Sequence, residues 1–332
     1  MKSDSDRIRT FLKGLSHEDW VERSERRWWP NYLCHYTDIQ NAARILSSGF
    51  LLSRQHLEDS GGIPVSSGSD EVLAGTPPWI KNCVRLYFRP KTPTQFHAEG
   101  VKSFLTLSAS KFPDAHCPVP VFFLFDSAEI LCRIDSLFSD RGLASNDCQI
   151  MSTARELASM EWKKIYHLGA FDSSRPEESD IASRRMAEVI VPGNLDMKSL
   201  KWIYCRSEAE KDTLLHLLTH GQRPRYESRI LATARNALFY RQHTYLETVR
   251  LDSNAAHLSF FPDTRSIGPF KVQVNIRSDN GIRQYADNSF TFQRGGFQWN
   301  LNTGFEDYVL ELHLDEHLVY QNRYIELDDI PF

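Results

Sequence analysis

Hydrophobic positions change period along this chain, and the change divides it. Ile8, Phe11, Leu12 and Leu15 recur at helical spacing, which predicts an amphipathic helix at the start. Residues 32–36 read as a short strand. Thr37-Asp38-Ile39-Gln40 is a capping-box pattern, Ile39, Ala43 and Leu46 continue one helical face, and Gly49 stops it. Val84-Arg85-Leu86-Tyr87-Phe88 and residues 119–125, 189–191 and 202–204 predict strands; residues 151–162 and 209–218 predict helices. Residues 53–78 are rich in Gly, Ser and Pro and predict a long loop of the kind that serves as a lid. After about residue 252 the period becomes two. Phe270, Val272, Val274 and Ile276 share a face, and Phe290 with Phe292, then Leu310, Leu312 and Leu314, repeat the pattern. Asp279-Asn280-Gly281 and Arg294-Gly295-Gly296 are turn signals. The pattern predicts an α+β chain that ends in a separate, antiparallel β-rich domain over residues 252–332.

Composition narrows the partners. With 332 residues, 41% of them hydrophobic, the chain is long enough for about two packed domains. A formal net charge of -4 excludes a wholly cationic nucleic-acid binder, so any such surface must be a local patch. The six cysteines form no C-x-x-C pair and are irregularly spaced, which argues against a zinc ribbon or a disulfide scaffold and fits a reducing compartment. The polar start leads into no apolar leader segment, and no stretch approaches the ~20 apolar residues of a membrane helix. A cytoplasmic protein with no membrane partner is expected.

Several side chains could carry chemistry. Glu188 opens the β-branched run Val189-Ile190-Val191 and follows Arg184 and Arg185. It reads either as an exposed strand end in an ordinary ion pair or as a carboxylate held rigidly at the lip of a cleft, where it would stabilise developing positive charge. His35, in Cys34-His35-Tyr36-Thr37, lies between a strand end and a helix start; it either satisfies local backbone groups or faces a polar ligand. In Tyr87-Phe88-Arg89-Pro90-Lys91-Thr92-Pro93 two prolines bracket a cationic corner, a stiff turn or a phosphate contact. Residues 222–250 interleave Arg223, Arg225, Arg229, Arg235, Arg241 and Arg250 with Tyr226, Phe239, Tyr240 and Tyr245. That mixture suits single-stranded nucleic acid as well as it suits a solvated helix with packing aromatics. His216/His220 and His313/His317 share a four-residue spacing, but no third ligand accompanies either pair, so no metal is expected. The chain contains neither G-x-G-x-x-G nor a Walker A motif.

Three segments, taken in order, resemble the DarT family of NAD-dependent nucleic-acid ADP-ribosyltransferases: His35-Tyr36-Thr37-Asp38-Ile39 with its helix to Gly49, Tyr87 through Pro93, and Arg184 through Val191. Asn146, Ala154-Arg155, Trp162 and Phe171 fit the family's middle. The resemblance implies an ADP-ribosyltransferase-like mixed split sheet with flanking helices, NAD consumed as substrate, and transfer of ADP-ribose to a base of single-stranded DNA, with RNA as the second expected target. It makes Glu188 the catalytic residue. It places NAD near His35, Thr37, Tyr87 and Phe88, with Arg54 or Arg89 at the diphosphate. Arg223, Arg225, Arg229 and Tyr240 become the nucleic-acid contacts, and an antitoxin protein becomes an expected partner in a toxin–antitoxin or phage-defence setting. The implied division is a helical extension (1–30), the transferase domain (31–220), a basic helical connector (221–251) and the β domain (252–332). One departure stands out: residues 55–82 contain no arginine, where DNA-modifying members carry a catalytic one. A non-catalytic nucleic-acid module with a degenerate cleft and a protein-directed transferase are the competing expectations.

Overall fold

The computed structural model describes residues 1–62, 65, 77–233, 237–293 and 295–325. Its main sheet is built from β1 (Tyr32–Asp38), β3 (Cys83–Tyr87), β4 (Pro120–Asp126), β5 (Leu137–Ser139), β6 (Ile150–Met151), β7 (Glu188–Pro192), β9 (Leu200–Cys205) and β10 (Ile230–Ala232). The order across it is β10-β9-β4-β1-β3-β7-β5-β6. Only β10 on β9 is parallel; every other pairing is antiparallel. Two short strands, β2 (Phe50–Leu51) and β8 (Leu195–Asp196), form a separate ribbon.

Local chemistry explains most boundaries. β4 is buried at every position but its last, so it reads as a continuous apolar run and occupies the middle of the sheet. Helix Ile39–Ser48 starts where the Asp38 carboxylate accepts from the Gln40 N–H at 3.0 Å, and it stops at Gly49 with φ 74°. The cap is therefore the aspartate and not the threonine. The helix expected over 151–162 is two short ones, Ala154–Ser159 with a Thr153/Glu156 capping box and Trp162–Ile165, separated by Met160 in extended geometry.

The connector differs most from expectation. Only Arg223–Tyr226 is α-helical; Ile230–Ala232 then joins the sheet edge as β10. Burial of Ile230 against β9 outweighs the helical tendency of the flanking residues. Arg235 lies outside the described residues.

The C-terminal strands are β11 (Leu246–Asp252), β12 (Ala255–Phe260), β13 (Phe270–Ser278), β14 (Gly281–Phe290), β15 (Phe297–Asn302), β16 (Tyr308–Leu314) and β17 (His317–Tyr324). They form two antiparallel sheets, β11-β12-β15 and β14-β13-β16-β17. Asp279-Asn280 closes the β13–β14 hairpin as its pattern predicts. Arg294 of the second expected turn is not among the described residues. This β unit starts at 246 and does not have a core to itself. Leu246, Leu310 and Tyr320 belong to the same buried cluster as Leu214 and Ile203. Helix Glu208–Leu217 is the shared element: Thr213 Oγ1 accepts from the Gln321 N–H at 3.1 Å, and Ser207 Oγ donates to the Leu246 carbonyl at 2.6 Å.

The start of that helix is fixed by a buried ion pair. Arg206 and Glu210 are 0% and 1% exposed, and Arg206 also donates to the Pro118 carbonyl at 3.1 Å. Burial opposes both charges, so each depends on the other. Glu210→Ala is expected to lower unfolding stability by about 3–5 kcal/mol, read as a fall in the urea midpoint, whereas a joint Arg206→Met/Glu210→Leu replacement recovers most of that loss.

Candidate active site: a carboxylate clamped at a strand end

β3 lies between β1 and β7, and Tyr87 stands opposite Glu188 in the register. Alternation then puts Arg85, Tyr87 and Glu188 on one face. Glu188 is fully buried. Its Oε2 accepts from Arg85 Nε at 2.6 Å, and its Oε1 accepts from Arg85 Nη2 at 2.7 Å and from the Leu143 N–H at 3.4 Å. The Glu188 N–H donates to Ser139 Oγ at 3.2 Å, which ties the strand start to β5. Arg85 is 23% exposed. Burial works against its charge, but the Glu188 carboxylate outweighs burial and holds it above the ordinary arginine range. The Tyr87 hydroxyl is pushed up to about 12, by burial first and by Glu188 second, so it stays a neutral phenol.

A cavity of about 700 Å³ or slightly less (670 Å³) opens over this group. Arg85, Tyr87 and Glu188 form one side, residues 142–145 a second, and the rings of Phe96, Phe112, Phe171 and Tyr240 much of the rest. The size is that of a small-molecule site. Phe96 meets Tyr240 edge to face at 5.2 Å, and the Arg185 guanidinium lies 4.9 Å from the Phe171 ring centre. Arg185 and Lys111 are the further cations on the wall.

Of the residues singled out from sequence, Glu188, Tyr87 and Tyr240 line this cavity, as do Pro93, Phe171 and Arg185 from the segments that resemble the family. The others lie elsewhere. His35 sits on the opposite face of β1 from Cys34, which pairs with Tyr87; its ring packs 6.3 Å from Phe123, and Nδ1 lies 3.5 Å from the Arg85 carbonyl. Burial lowers its pKa to about 4, so near neutral pH it is an uncharged imidazole. Thr37 accepts from Asn41 at 3.2 Å on that same side. Phe88 is core, edge to face with Trp162 at 5.2 Å. Arg89 is 2% exposed and donates to the carbonyls of Pro90, Ile165 and His167 under the Trp29 ring, so its donors are spent on the backbone and it does not reach the cavity. Arg54 pairs with Glu58 at 2.8 Å; most of the loop that follows it lies outside the described residues. Arg223 pairs with Glu227 at 2.9 Å, and Arg229 donates to the Leu200 carbonyl at 3.1 Å. Arg225 and Arg229 border a separate small depression near Phe50. The structure therefore separates these three arginines from Tyr240.

The sequence pointed to the wrong partners for Glu188. Arg184 pairs with Asp140 at 3.2 Å, and Arg185 bonds His167 Nδ1 at 2.7 Å and the Gly169 carbonyl at 2.6 Å. The clamp is Arg85, which went unselected. Its one signal was a charge inside an apolar strand, two positions before Tyr87. Among the described residues no three His, Cys, Asp or Glu side chains come together as metal ligands; His317 instead contacts His116, Nε2 to Nδ1, at 3.1 Å. No described helix is long and apolar enough to cross a membrane.

A sequence model of the family described as ssDNA thymidine ADP-ribosyltransferase, DarT, matches residues 34–231, more than half of the chain. The chain belongs to the DarT family, and its class is that of the NAD-dependent ADP-ribosyltransferases. Among solved structures it is similar to Thermus sp. 2.9 DarT in complex with ADP-ribosylated ssDNA, at 17% identity over 64% of this chain and 97% of that one, with a TM-score of 0.49. It is also similar to Thermus sp. 2.9 DarT in complex with NAD+, at 18% identity over 64% and 98%, with a TM-score of 0.47. A third is Thermosipho africanus DarTG in complex with ADP-ribose, at 20% identity over 55% and 46%, with a TM-score of 0.41. No curated protein matches the chain.

Two outcomes are expected at this site. Arg85→Met leaves the Glu188 carboxylate without its clamp, and turnover falls about 10²-fold; Arg85→Lys restores little, because one ammonium cannot bridge both oxygens as a planar fork does. Steady-state kinetics with both variants measures this. The second concerns acid. His35 titrates near 6.5 when unfolded and near 4 when folded, so the unfolded chain binds the extra proton first. The native state is fully favoured above pH 6.5 and loses that contribution as pH falls towards 4. The decline of Tm over this window is expected to be shallower in His35→Gln than in the parent chain.

Proposed function

We propose that this protein transfers ADP-ribose from NAD to a base of single-stranded nucleic acid, with DNA as the primary substrate. The observation that carries the reading is a fully buried Glu188 whose two carboxylate oxygens are held by Arg85 at the edge of a cavity of ligand size. Family membership supplies the reaction class.

The residues present fit NAD in chemical kind. A buried carboxylate suits a ribose hydroxyl, flat rings suit nicotinamide or a nucleobase, and Arg185 with Lys111 offer cations for a diphosphate. These two replace Arg54 and Arg89 as the proposed diphosphate contacts. NAD supplies an activated glycosidic bond. In the transfer, the bond from ribose C1′ to nicotinamide breaks with its electron pair leaving on nicotinamide, and a bond from a base nitrogen to C1′ forms. Glu188 stabilises the positive charge that develops at the sugar and accepts the proton released by the base nitrogen. Arg85 orients that carboxylate.

RNA is the second substrate, favoured by the absence of arginine from residues 55–82. The toxin role, an antitoxin partner and a cytoplasmic setting belong to the same proposal and rest on family membership.

Glu188→Gln is expected to fold with parental secondary structure and to lose about 10³-fold in transfer. Labelled NAD incubated with matched DNA and RNA oligonucleotides, with the adduct identified by mass, decides the substrate. Parental labelling by the Gln variant overturns the assignment. Labelling that appears only on protein in nuclease-treated extract moves the target to protein.

A further inference from the structure

A second concave surface lies apart from the cavity at Glu188. Helix Ser5–Ser16 buries Ile8, Leu12 and Leu15. Its outward positions include Arg9 and Lys13, with His17 directly after its end, and all three are exposed. Residues four apart stack along one side of a helix, with a rise of about 6 Å between them. Arg9 and Lys13 face the ends of β1, β4 and β9 across a groove of about 700 Å³. The opposite wall presents Tyr32 and Trp202, the indole 37% exposed. Asp126 also borders the groove, and Lys201 lies 3.6 Å from it and 3.0 Å from Glu129, so one ammonium is shared between the two carboxylates. Among the described hydrogen bonds the Arg9 side chain has a 3.6 Å contact to Met1 Sδ, and Lys13 enters through its carbonyl alone; Arg9 also acts on the Glu129 carboxylate through its charge. Both cations are exposed, and the aromatic wall is open.

We propose that this groove binds a second segment of the same single strand of nucleic acid, at a distance from the base that reacts at Glu188. The proposal rests on the nucleic-acid reading above for the identity of its ligand. A stripe of cations beside exposed rings is the combination that holds single strands: phosphates follow the charges and bases stack on the rings. The spacing of Arg9 and Lys13 suits successive phosphates of an extended strand. An acidic peptide would use the cations and leave the indole without a partner.

Sheet register relates the two surfaces. Trp202 pairs with Leu124, Leu124 with Cys34, Cys34 with Tyr87 and Tyr87 with Glu188, so one row on one face joins the groove wall to the catalytic carboxylate. At about 4.8 Å per strand, four steps separate the ends by roughly 19 Å. Leu238 and Phe239 pack over the middle of the row, so the strand passes around that bridge. Arg9 and Lys13 lie outside the residues that match the family, whereas Asp126, Lys201 and Trp202 on the opposite wall lie within them.

The test is equilibrium binding by fluorescence anisotropy with the full chain. The probes are labelled single strands of about five and about twenty nucleotides, the shorter one too small to serve both surfaces. Arg9→Glu/Lys13→Glu is expected to weaken binding of the long strand at least tenfold and to flatten its log–log salt dependence by about 1.4. Trp202→Ala is expected to weaken it about tenfold. Binding of the short strand and release of nicotinamide from NAD stay at parental values in both variants. Parental affinity and salt dependence for the long strand in both variants overturn the proposal, as does an equal loss with the short strand. If the parent chain binds neither strand, the nucleic-acid reading falls too; if the parent binds and the variants match it, only the groove assignment falls.

Discussion

A carboxylate taken fully out of water must be paired, and this molecule pairs Glu188 across strands. Isolated burial of such a charge is prohibitive, while a bidentate guanidinium restores most of what hydration supplied. The pairing is diagonal. Tyr87 stands opposite Glu188, Arg85 stands opposite Ile190, and the long arginine reaches back one step along the same face. Water reaches the guanidinium but not the carboxylate. The carboxylate is therefore held in one orientation at the cavity wall. Register is the underlying constraint: a one-residue slip of β7 would send Glu188 to the side of Val189 and Phe138, away from the Arg85 fork.

This explains what the sequence showed and what it hid. Strands followed from period where the pattern was long: β4 from its unbroken apolar run, β13 and β16 from strict alternation, whereas Phe292, expected in a strand with Phe290, lies past the end of β14. The ordered segments around His35, Tyr87 and Glu188, which carry the family resemblance, lie on the neighbouring strands β1, β3 and β7. Partners across strands are a different matter. Arg184 and Arg185 precede Glu188 in the chain, but a helical turn (Ile181–Arg184) carries them to Asp140, Asp180 and His167. Arg85 is 103 residues from Glu188 and becomes its partner through pairing alone.

Polar residues beside prolines misled for a related reason. Arg89 looked like a cationic corner because Pro90 and Pro93 stiffen its surroundings. Inside the fold Arg89 instead satisfies the carbonyls of Pro90, Ile165 and His167. His35 is a second case. A strand end beside a helix start does suggest a ligand site, but which face the ring takes depends on strand parity, and parity places it with Phe123 and not with Glu188. The connector hid an edge strand because three residues are too few to show a period.

The far wall of the cavity is set from a distance. Glu99 is buried and accepts from the N–H groups of Tyr240 at 3.0 Å and Arg241 at 2.8 Å, and from the Gln95 amide at 2.8 Å. Arg241 turns with φ 55°, and Thr244 then exchanges backbone bonds with Val101 before β11 begins. The residues that place Tyr240 against Phe96 therefore also lead into the β unit, whose first strand packs on helix Glu208–Leu217 beside the Arg206–Glu210 pair. In residues 252–332 acidic side chains outnumber basic ones, which disfavours that unit as a path for nucleic acid. The unit shares a core with the main sheet, while Glu99 holds the backbone of Tyr240, whose ring lines the cavity.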